Sequence, residues 1–278
     1  MVVRLYDLGR PGQDRLPGKA WNDVNILSWN LKGSKGVDVR AVADHIRATA
    51  ADVVVLQEVQ FFQARAIARS LGAESRSWGF KHWPIRTWPE GMAVIGVTQQ
   101  ALARTHAITH RVPWSSRRRI LQLATVRVDP AWGSERGAGI FVTLVNVHLS
   151  TGDAATIRML EADAVLRRIA ERGRPAIVAG DLNDRPASAV HARFEEASLQ
   201  DVWAVLRPDE PGPTNWRAWV AGTPKPPTRR IDYVFVSDGL DPESVSVPRY
   251  GDPGFPRFAS ISDHLPVTAA VAAAGARA

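Results

Sequence analysis

The chain has 278 residues, of which 45% are hydrophobic and 23% charged, a composition typical of chains that fold around a sizeable core. This composition excludes disorder throughout the chain, which requires low hydrophobicity and high net charge. No apolar run approaches the length of a membrane-spanning helix, and the absence of cysteine excludes disulfides, thiolate metal sites and cysteine nucleophiles. The formal net charge of +7 favours polyanionic partners, although many basic proteins bind none.

In chain order, an irregular lead-in is expected over 1–23, where glycine, proline and charged residues dominate. Short β-branched runs predict strands over 24–30, 51–59, 92–98, 120–128, 140–148, 175–183, 230–237 and 265–273. Apolar residues at helical spacing predict helices over 39–46, 62–71 and 157–169. The Pro-rich stretch 206–229 is expected to be a loop. This order predicts one domain over 24–273, with mixed sheets, outer helices and a frayed tail over 274–278.

Polar side chains recur at the carboxyl ends of these predicted strands. In each case a hydrophobic strand is followed by a carboxylate, carboxamide or imidazole group. These residues are Asn30, Glu58, His148, Asp181, Asn183, Asp232, Asp263 and His264. Oxygen donors without thiolates suit a hard divalent cation such as Mg²⁺ or Mn²⁺.

Taken singly, these residues also fit structural roles. Asn30 could cap the next helix, His148 could be a satisfied core histidine, and Asp181 with Asn183 could form an ordinary turn. Asp232 fits such a role less well, because a carboxylate inside an apolar strand needs a partner. Their joint occurrence favours a common site.

Six short motifs occur in an order that resembles the endonuclease/exonuclease/phosphatase superfamily, whose fold is that of deoxyribonuclease I. The motifs are SWN (28–30), LQEV (56–59), VNVHL (145–149), GDLND (180–184), RIDYVFVS (230–237) and SDHLPV (262–267). The resemblance covers nearly the whole chain. It implies an α/β fold, a four-layer sandwich in which two packed mixed β-sheets are flanked by helices.

For the metal, the resemblance implies that Glu58 is the principal Mg²⁺ ligand. Asn30 would lie beside it, and Asp263 would contribute through water. Mn²⁺ is the expected substitute ion.

For the chemistry, the resemblance implies that His264 contacts the scissile phosphate while Asp232 holds its other ring nitrogen. Asp181 would orient or deprotonate the attacking water, and Asn183 would bind a phosphate oxygen. His148 would contact the phosphate or assist the leaving oxygen.

Two features bear on the branch of the superfamily. His148 in a VHL setting differs from the tyrosine-bearing segment of exonuclease III-type abasic endonucleases, which favours the histidine-containing branch. Arg185 in GDLNDR is similar to the inositol polyphosphate phosphatases and tyrosyl-DNA phosphodiesterases, where arginine could clamp a phosphate. A solvated loop arginine fits equally well, and the PTRRIDY run lacks the inositol phosphatase signature.

Substrate contacts are expected from two segments. The segment 76–119 interleaves arginines with tryptophans, namely Trp78, Trp83, Trp88 and Trp114. Such interleaving suits base stacking with phosphate contacts, although tryptophans more commonly fill a core. Arg117 and Arg118 are the expected substrate-binding residues there. In the family, the loop before the RIDYV strand borders the cleft, which implies substrate contacts from Thr214, from Trp216 and from Arg230 or its neighbour Arg229.

The sequence therefore predicts a Mg²⁺-dependent phosphoesterase that hydrolyses phosphodiester bonds by in-line attack of water, with DNA or RNA as its expected substrate. Two alternatives stay open: an enzyme for a small phosphorylated metabolite or phospholipid head group, and a non-catalytic scaffold that keeps the fold. No signal peptide is visible, so a cytoplasmic location is expected. The resemblance favours a monomer.

Overall fold

The structure is a computed structural model that describes residues 23–83, 90–98, 106–109, 118–128, 139–222 and 225–274. The expected lead-in over 1–23 and tail over 274–278 lie almost entirely outside these ranges, so the domain boundaries stay a prediction. Arg117, Trp88 and Trp114 also lie outside them. For Trp83 and Arg118 only the backbone is described.

The first of two sheets has six strands. In spatial order they are β12 (Leu240–Ser246), β13 (Val267–Ala273), β1 (Val24–Asn30), β2 (Val53–Gln60), β5 (Glu90–Gly96) and β3 (Ser75–Phe80). The pair β1 and β2 is parallel, and the other neighbouring pairs are antiparallel.

The second sheet is built around five strands. In spatial order they are β10 (Leu199–Asp201), β11 (Asp232–Ser237), β9 (Ala176–Asp181), β8 (Ile140–His148) and β7 (Arg118–Val128). The short strands β4 (His82–Trp83) and β6 (His106–Thr109) also pair with β7. Only β8 and β9 are parallel among these pairs, so both sheets are mixed.

Helices cover the outer faces of both sheets. Those on the first sheet are α1 (Val39–Ala48), α2 (Phe61–Leu71) and α6 (Phe255–Ile261). Those on the second are α3 (Ala155–Ala170) and α4 (Ala189–Glu196), and the short α5 (Val202–Leu206) follows β10. The expected four-layer sandwich of two packed mixed sheets is therefore confirmed.

Strand periodicity explains the layers. In β8, Val142 and Leu144 belong to the core between the sheets, whereas Val145 and Val147 pack beneath α3 and α4. Successive strand residues point to opposite faces, so an apolar run with no polar alternation indicates a strand buried on both sides.

The predicted strands and helices are present, with ends shifted by one or two residues. Several short elements were not predicted, among them β3, β12, α4 and α6. Strand β12 contains Pro242 at a register irregularity and lies at the sheet edge, where proline is tolerated. Among the described residues, no helix has the length and apolar character that crossing a bilayer requires.

Candidate active site

The register of the second sheet places three predicted site residues in one row. His148 is the partner of Asp181 across the parallel pair β8 and β9, and Asp181 is in turn the partner of Asp232 on β11. All three are buried. The side chains of all three point toward the other sheet. The row therefore forms one wall of the space where the two sheets meet, and the facing ends of the first-sheet strands form the other wall.

Gly180 allows this close approach. Its φ is +144°, and a Cβ at this position would lie 2.0 Å from the backbone oxygen of Val147. Any larger residue would therefore push β9 away from β8. The glycine of the GDLND motif keeps Asp181 beside His148.

Glu58 enters the site from the first sheet through a β-bulge. The register between β2 and β5 shifts between Gln57 and Val59, which leaves Glu58 as the additional residue. Its φ is +51°, the left-handed region that non-glycine residues rarely adopt. Bulges redirect side chains near active sites. Here the bulge directs Glu58 toward the second sheet, with its Oε1 3.7 Å from Nε2 of His148.

Asp181 links the two walls. Its Oδ2 accepts a hydrogen bond of 3.1 Å from Nδ2 of Asn30, at the end of β1. The same oxygen lies 3.6 Å from Nε2 of His148 and 3.8 Å from Nε2 of His264. Residues from both sheets and from the SDHLPV motif thus meet around one carboxylate.

His264 and Asp232 form a buried pair. Nδ1 of His264 lies 2.8 Å from Oδ2 and 3.0 Å from Oδ1 of Asp232. Burial alone would lower the pKa of His264, but the carboxylates of Asp232 and Asp181 outweigh it and raise the pKa to about 10. The imidazole is therefore a cation at neutral pH, with Nε2 directed at Asp181.

The pKa of Asp181 is also raised, but here burial is the main cause. Burial raises its pKa to about 7, Asp232 acts in the same direction, and His264 opposes both. Its Oδ1 accepts the backbone N–H of Asn183 at 2.8 Å. Asn183 has a φ of +51°, and its Nδ2 donates to the backbone oxygen of Leu149. A carboxyl with a pKa near neutrality suits proton transfer.

The SDHLPV segment is fastened to the first sheet. The Ser262 hydroxyl donates to the backbone oxygen of Asn30, and Trp29 Nε1 donates to the backbone oxygen of His264. Asp263 is partly exposed, and its carboxylate pairs with Nζ of Lys32 at 2.5 Å. This attachment places Asp263 at the same end of β1 as Asn30.

Sequence reasoning missed three cationic or acidic residues around Glu58. Nζ of Lys81 lies 2.6 Å from Oε1 of Glu58 and 3.4 Å from Oε2 of the buried Glu90. Arg119 is buried, its NH1 has no hydrogen-bond partner among the described residues, and burial lowers its pKa. It is the third of three consecutive arginines, whereas Arg117 and Arg118 were the ones expected to bind substrate.

Helix α3 holds the loop after His148, which sequence reasoning also missed. Glu161 accepts hydrogen bonds from the backbone N–H and the hydroxyl of Ser150. Arg158 donates to the backbone oxygens of Ser150 and Gly152 and to the carboxylate of Asp184. The buried polar residues of α3 were the available signal, but nothing in the sequence identified their partners.

The residues expected to bind substrate have diverse surroundings. The Thr214 hydroxyl donates to Oδ2 of Asp232 at 2.6 Å, and Trp216 is buried against Phe255. The guanidinium of Arg230 pairs with Asp201 and lies over the ring of Tyr233.

These contacts assign internal partners to Thr214, Trp216 and Arg230. The structure does not bring Trp216 or Arg230 into the candidate catalytic group, which consists of Glu58, His148, Asp181, Asp232 and His264. Arg185 is exposed beside the GDLND motif and remains available for a phosphate. Arg117 lies outside the described residues, as does the side chain of Arg118.

The donor set fits a hard divalent ion. Among the described residues, Asp181, Asp232 and His264 have ligand atoms within 4.8 Å of one another, a spacing that could hold a metal ion. In that group, however, His264 and Asp232 are already paired with each other through Nδ1 and the carboxylate. Glu58 and Asn30, the ligands that the resemblance implies, offer oxygens outside this group, and Glu58 is the more accessible to solvent, with 17% of its side chain exposed.

A two-sheet sandwich with acidic and imidazole groups where the sheets meet defines the class. The sequence matches the profile of the Endonuclease/Exonuclease/phosphatase family over residues 27–264. The chain belongs to this family, whose members are metal-dependent phosphoesterases. No curated protein matches the chain in sequence.

Solved structures share the fold. An endonuclease/exonuclease/phosphatase from Beutenbergia cavernae is 25% identical with a TM-score of 0.62, over 92% of this chain and 72% of that one. D. rerio TDP2, complexed with a single-strand DNA product, is 19% identical with a TM-score of 0.67, over 90% and 98%. The human Nocturnin catalytic domain, with bound sulfate, is 19% identical with a TM-score of 0.65, over 91% and 94%.

Proposed function

We propose that this protein is a Mg²⁺-dependent phosphodiesterase that acts on nucleic acid. The observation that carries the proposal is the contact chain from Glu58 through His148 and Asp181 to His264 and Asp232. It joins one solvent-accessible oxygen donor, one carboxyl of near-neutral pKa and one buried imidazolium. Groups of these three kinds suit phosphodiester hydrolysis by water, because they can hold a metal ion, accept a proton and stabilise negative charge.

Each residue has a stated task in this reaction. Asp181 receives a proton from the attacking water, which its pKa of about 7 permits. His264 donates a hydrogen bond from Nε2 to a non-bridging phosphate oxygen, and Asp232 keeps its charge and ring orientation. Asn183 and His148 bind other oxygens of the phosphate or the leaving group.

Glu58 and Asn30, with Asp263 through water, would hold the metal ion. When bound, the ion supplies positive charge that offsets the charge developing on the phosphate oxygens. The alternative position among Asp181, Asp232 and His264 would compete with the tasks given above.

The first test is hydrolysis of bis(p-nitrophenyl) phosphate with Mg²⁺, Mn²⁺ or EDTA. Metal-dependent cleavage is expected, with a loss of at least about 100-fold in Glu58→Gln because the principal ligand is weakened. Glu243→Gln, on the exposed strand β12, makes the same chemical change away from the site and should retain activity. Equal activity in EDTA, or in Glu58→Gln, would contradict the metal assignment.

Nucleic acid as substrate is supported by an aromatic and basic surface beside Glu58. Phe61 and Phe62 begin α2 three and four residues after Glu58, and 48% and 64% of these residues are exposed. Trp78 packs edge-on against Phe61, and Arg76 lies over the Phe61 ring. Exposed rings next to an arginine suit the bases and phosphates of a single strand.

This surface is tested with the double variant Phe61→Ala/Phe62→Ala. For a short single-stranded oligonucleotide, its KM should rise about 10-fold, because stacking contributes about 1–3 kcal/mol per base. Hydrolysis of bis(p-nitrophenyl) phosphate should not change. Phe141→Ala, at the opposite end of β8 from His148, removes an equally exposed ring and is the matched control.

A small phosphorylated metabolite or lipid head group is the competing substrate class. Oligonucleotide KM should rise steeply with salt concentration because each phosphate contact releases a counterion. A KM that is insensitive to salt, together with an unchanged KM in the phenylalanine variant, would favour the small substrate. Arms with DNA and RNA oligonucleotides separate the two polymers.

A further inference from the structure

Lys81 has an unusual position for a lysine. It is only 9% exposed, and it is the first residue after β3, at the end of the sheet where Glu58 lies. Its ammonium bonds to Oε1 of Glu58 at 2.6 Å and lies 3.4 Å from Oε2 of Glu90. A buried lysine needs a paired anion, and this one has two.

Glu90 shows that the position is built. It begins β5, it is 4% exposed, and its Oε1 accepts the backbone N–H of Ser34 at 3.3 Å. The backbone N–H of Lys81 also donates to the backbone oxygen of Glu90. Glu90 has no place in the contact chain of the catalytic group, so its buried carboxylate is explained by holding Lys81 beside Glu58.

Two carboxylates thus share one fixed ammonium at the edge of the catalytic group. In two-metal phosphoesterase sites, an acidic residue is typically shared by two divalent ions about 3.5–4 Å apart. Here Glu58 is shared by the proposed metal on one side and Lys81 on the other. A lysine ammonium is a compact point charge that supplies positive charge without being recruited from solution.

We propose that Lys81 is a positioning residue that occupies the place of a second divalent ion, so that this site operates with a single metal ion. Glu90 fixes the ammonium, and the ammonium orients the Glu58 carboxylate for the metal. The inference rests on the proposed function, because it requires Glu58 to be a metal ligand.

The experiment counts Mn²⁺ ions bound per chain, by calorimetry and by the electron paramagnetic resonance signal of free Mn²⁺. The wild type and Lys81→Arg should each bind one ion. Lys81→Ala should bind two, because Glu58 and Glu90 then lose the ammonium that they share. Lys81→Ala/Glu90→Gln should return to one. Circular dichroism verifies that each variant is folded.

Activity on bis(p-nitrophenyl) phosphate gives a second measurement. At a Mn²⁺ concentration that saturates the wild type, Lys81→Ala should be about 100-fold slower, and higher Mn²⁺ should restore much of the rate with a sigmoidal dependence. Lys81→Arg should remain hyperbolic.

The outcomes separate this inference from the proposed function. A wild type that binds no Mn²⁺ overturns both. A wild type that binds two ions overturns the Lys81 assignment alone, without requiring any variant to fold. One ion in both the wild type and folded Lys81→Ala also overturns it, while leaving the metal role of Glu58 intact.

Discussion

The two walls of the site differ in how they hold their charged groups. On the first-sheet wall, Glu58 lies in a left-handed bulge, is partly exposed and pairs with a lysine. On the second-sheet wall, Asp181 and Asp232 follow a regular register, and only 1% of either side chain is exposed. A carboxylate that binds a metal ion from solution needs access to solvent. A carboxylate that transfers a proton needs a rigid surrounding from which water is excluded.

The largest expected effect separates the walls by function. Asp181→Asn should lower kcat for bis(p-nitrophenyl) phosphate by about 10³-fold, because it removes the proton acceptor while keeping the side-chain volume. Its Mn²⁺ affinity should stay within about threefold of the wild type, whereas Glu58→Gln should lose affinity. If Asp181→Asn loses Mn²⁺ binding as Glu58→Gln does, the ion lies on the second wall and the contrast fails.

A second prediction addresses what holds the walls together. Asn146 is buried between the sheets, where it bonds to Gln57, Gln122 and the backbone oxygens of Leu56 and Ala93. Asn146→Leu should lower the free energy of unfolding by about 3 kcal/mol, since several buried polar groups lose their partners. Urea denaturation measures this change. Phe141→Leu, at an exposed position outside the Asn146 network, is the control. A change below about 1 kcal/mol would mean that the network is dispensable.

A third prediction distinguishes two roles for Thr214. Its hydroxyl donates to Asp232 and accepts the backbone N–H groups of Ile231 and Asp232. Thr214→Val should therefore reduce kcat about 10-fold with KM unchanged, because the Asp232–His264 pair loses orientation. Thr214→Ser should restore the rate. A rise in KM at constant kcat would instead support the substrate contact expected from the sequence.

The smallest effect concerns His45, on the helix layer outside the first wall. Burial, and then the charge of Arg257, lower the pKa of His45 from 6.5 to about 4. Between these two pH values His45 is protonated in the unfolded chain but neutral in the folded chain. The free energy of unfolding therefore falls as the pH is lowered from about 6.5 to about 4. Urea midpoints at pH 7.5 and 5 should therefore differ less in His45→Gln than in the wild type. Equal differences would contradict the lowered pKa.

Local signals in the sequence predicted mixed sheets with outer helices and the chemical character of the site, whereas the four-layer sandwich was implied by the family resemblance. Hydrophobic runs that end in Asn30, Glu58, His148 or Asp181 can be recognised directly in the sequence. Parallel pairing then brings such ends together, as it does for β1 with β2 and β8 with β9.

The remainder depends on side-chain direction and on register, which a single sequence does not specify. The partners of Lys81 are Glu58, a bulged residue two strands away in the sheet, and Glu90, on the neighbouring strand. No simple spacing rule in the sequence brings these three residues together. Trp216 and Arg230 carry the right chemistry for a substrate, yet their contacts are with Phe255 and Asp201.

At the bulge, the backbone conformation of Glu58 costs stability, whereas its side chain serves the proposed function. A left-handed backbone costs a non-glycine residue free energy, of the order of 1 kcal/mol, that glycine would not incur. Gly33 presses against this bulge, since a Cβ there would lie 2.4 Å from the backbone oxygen of Glu58. The backbone conformation of Glu58 therefore costs the fold free energy, and the proposed role of this residue as a metal ligand accounts for a glutamate there.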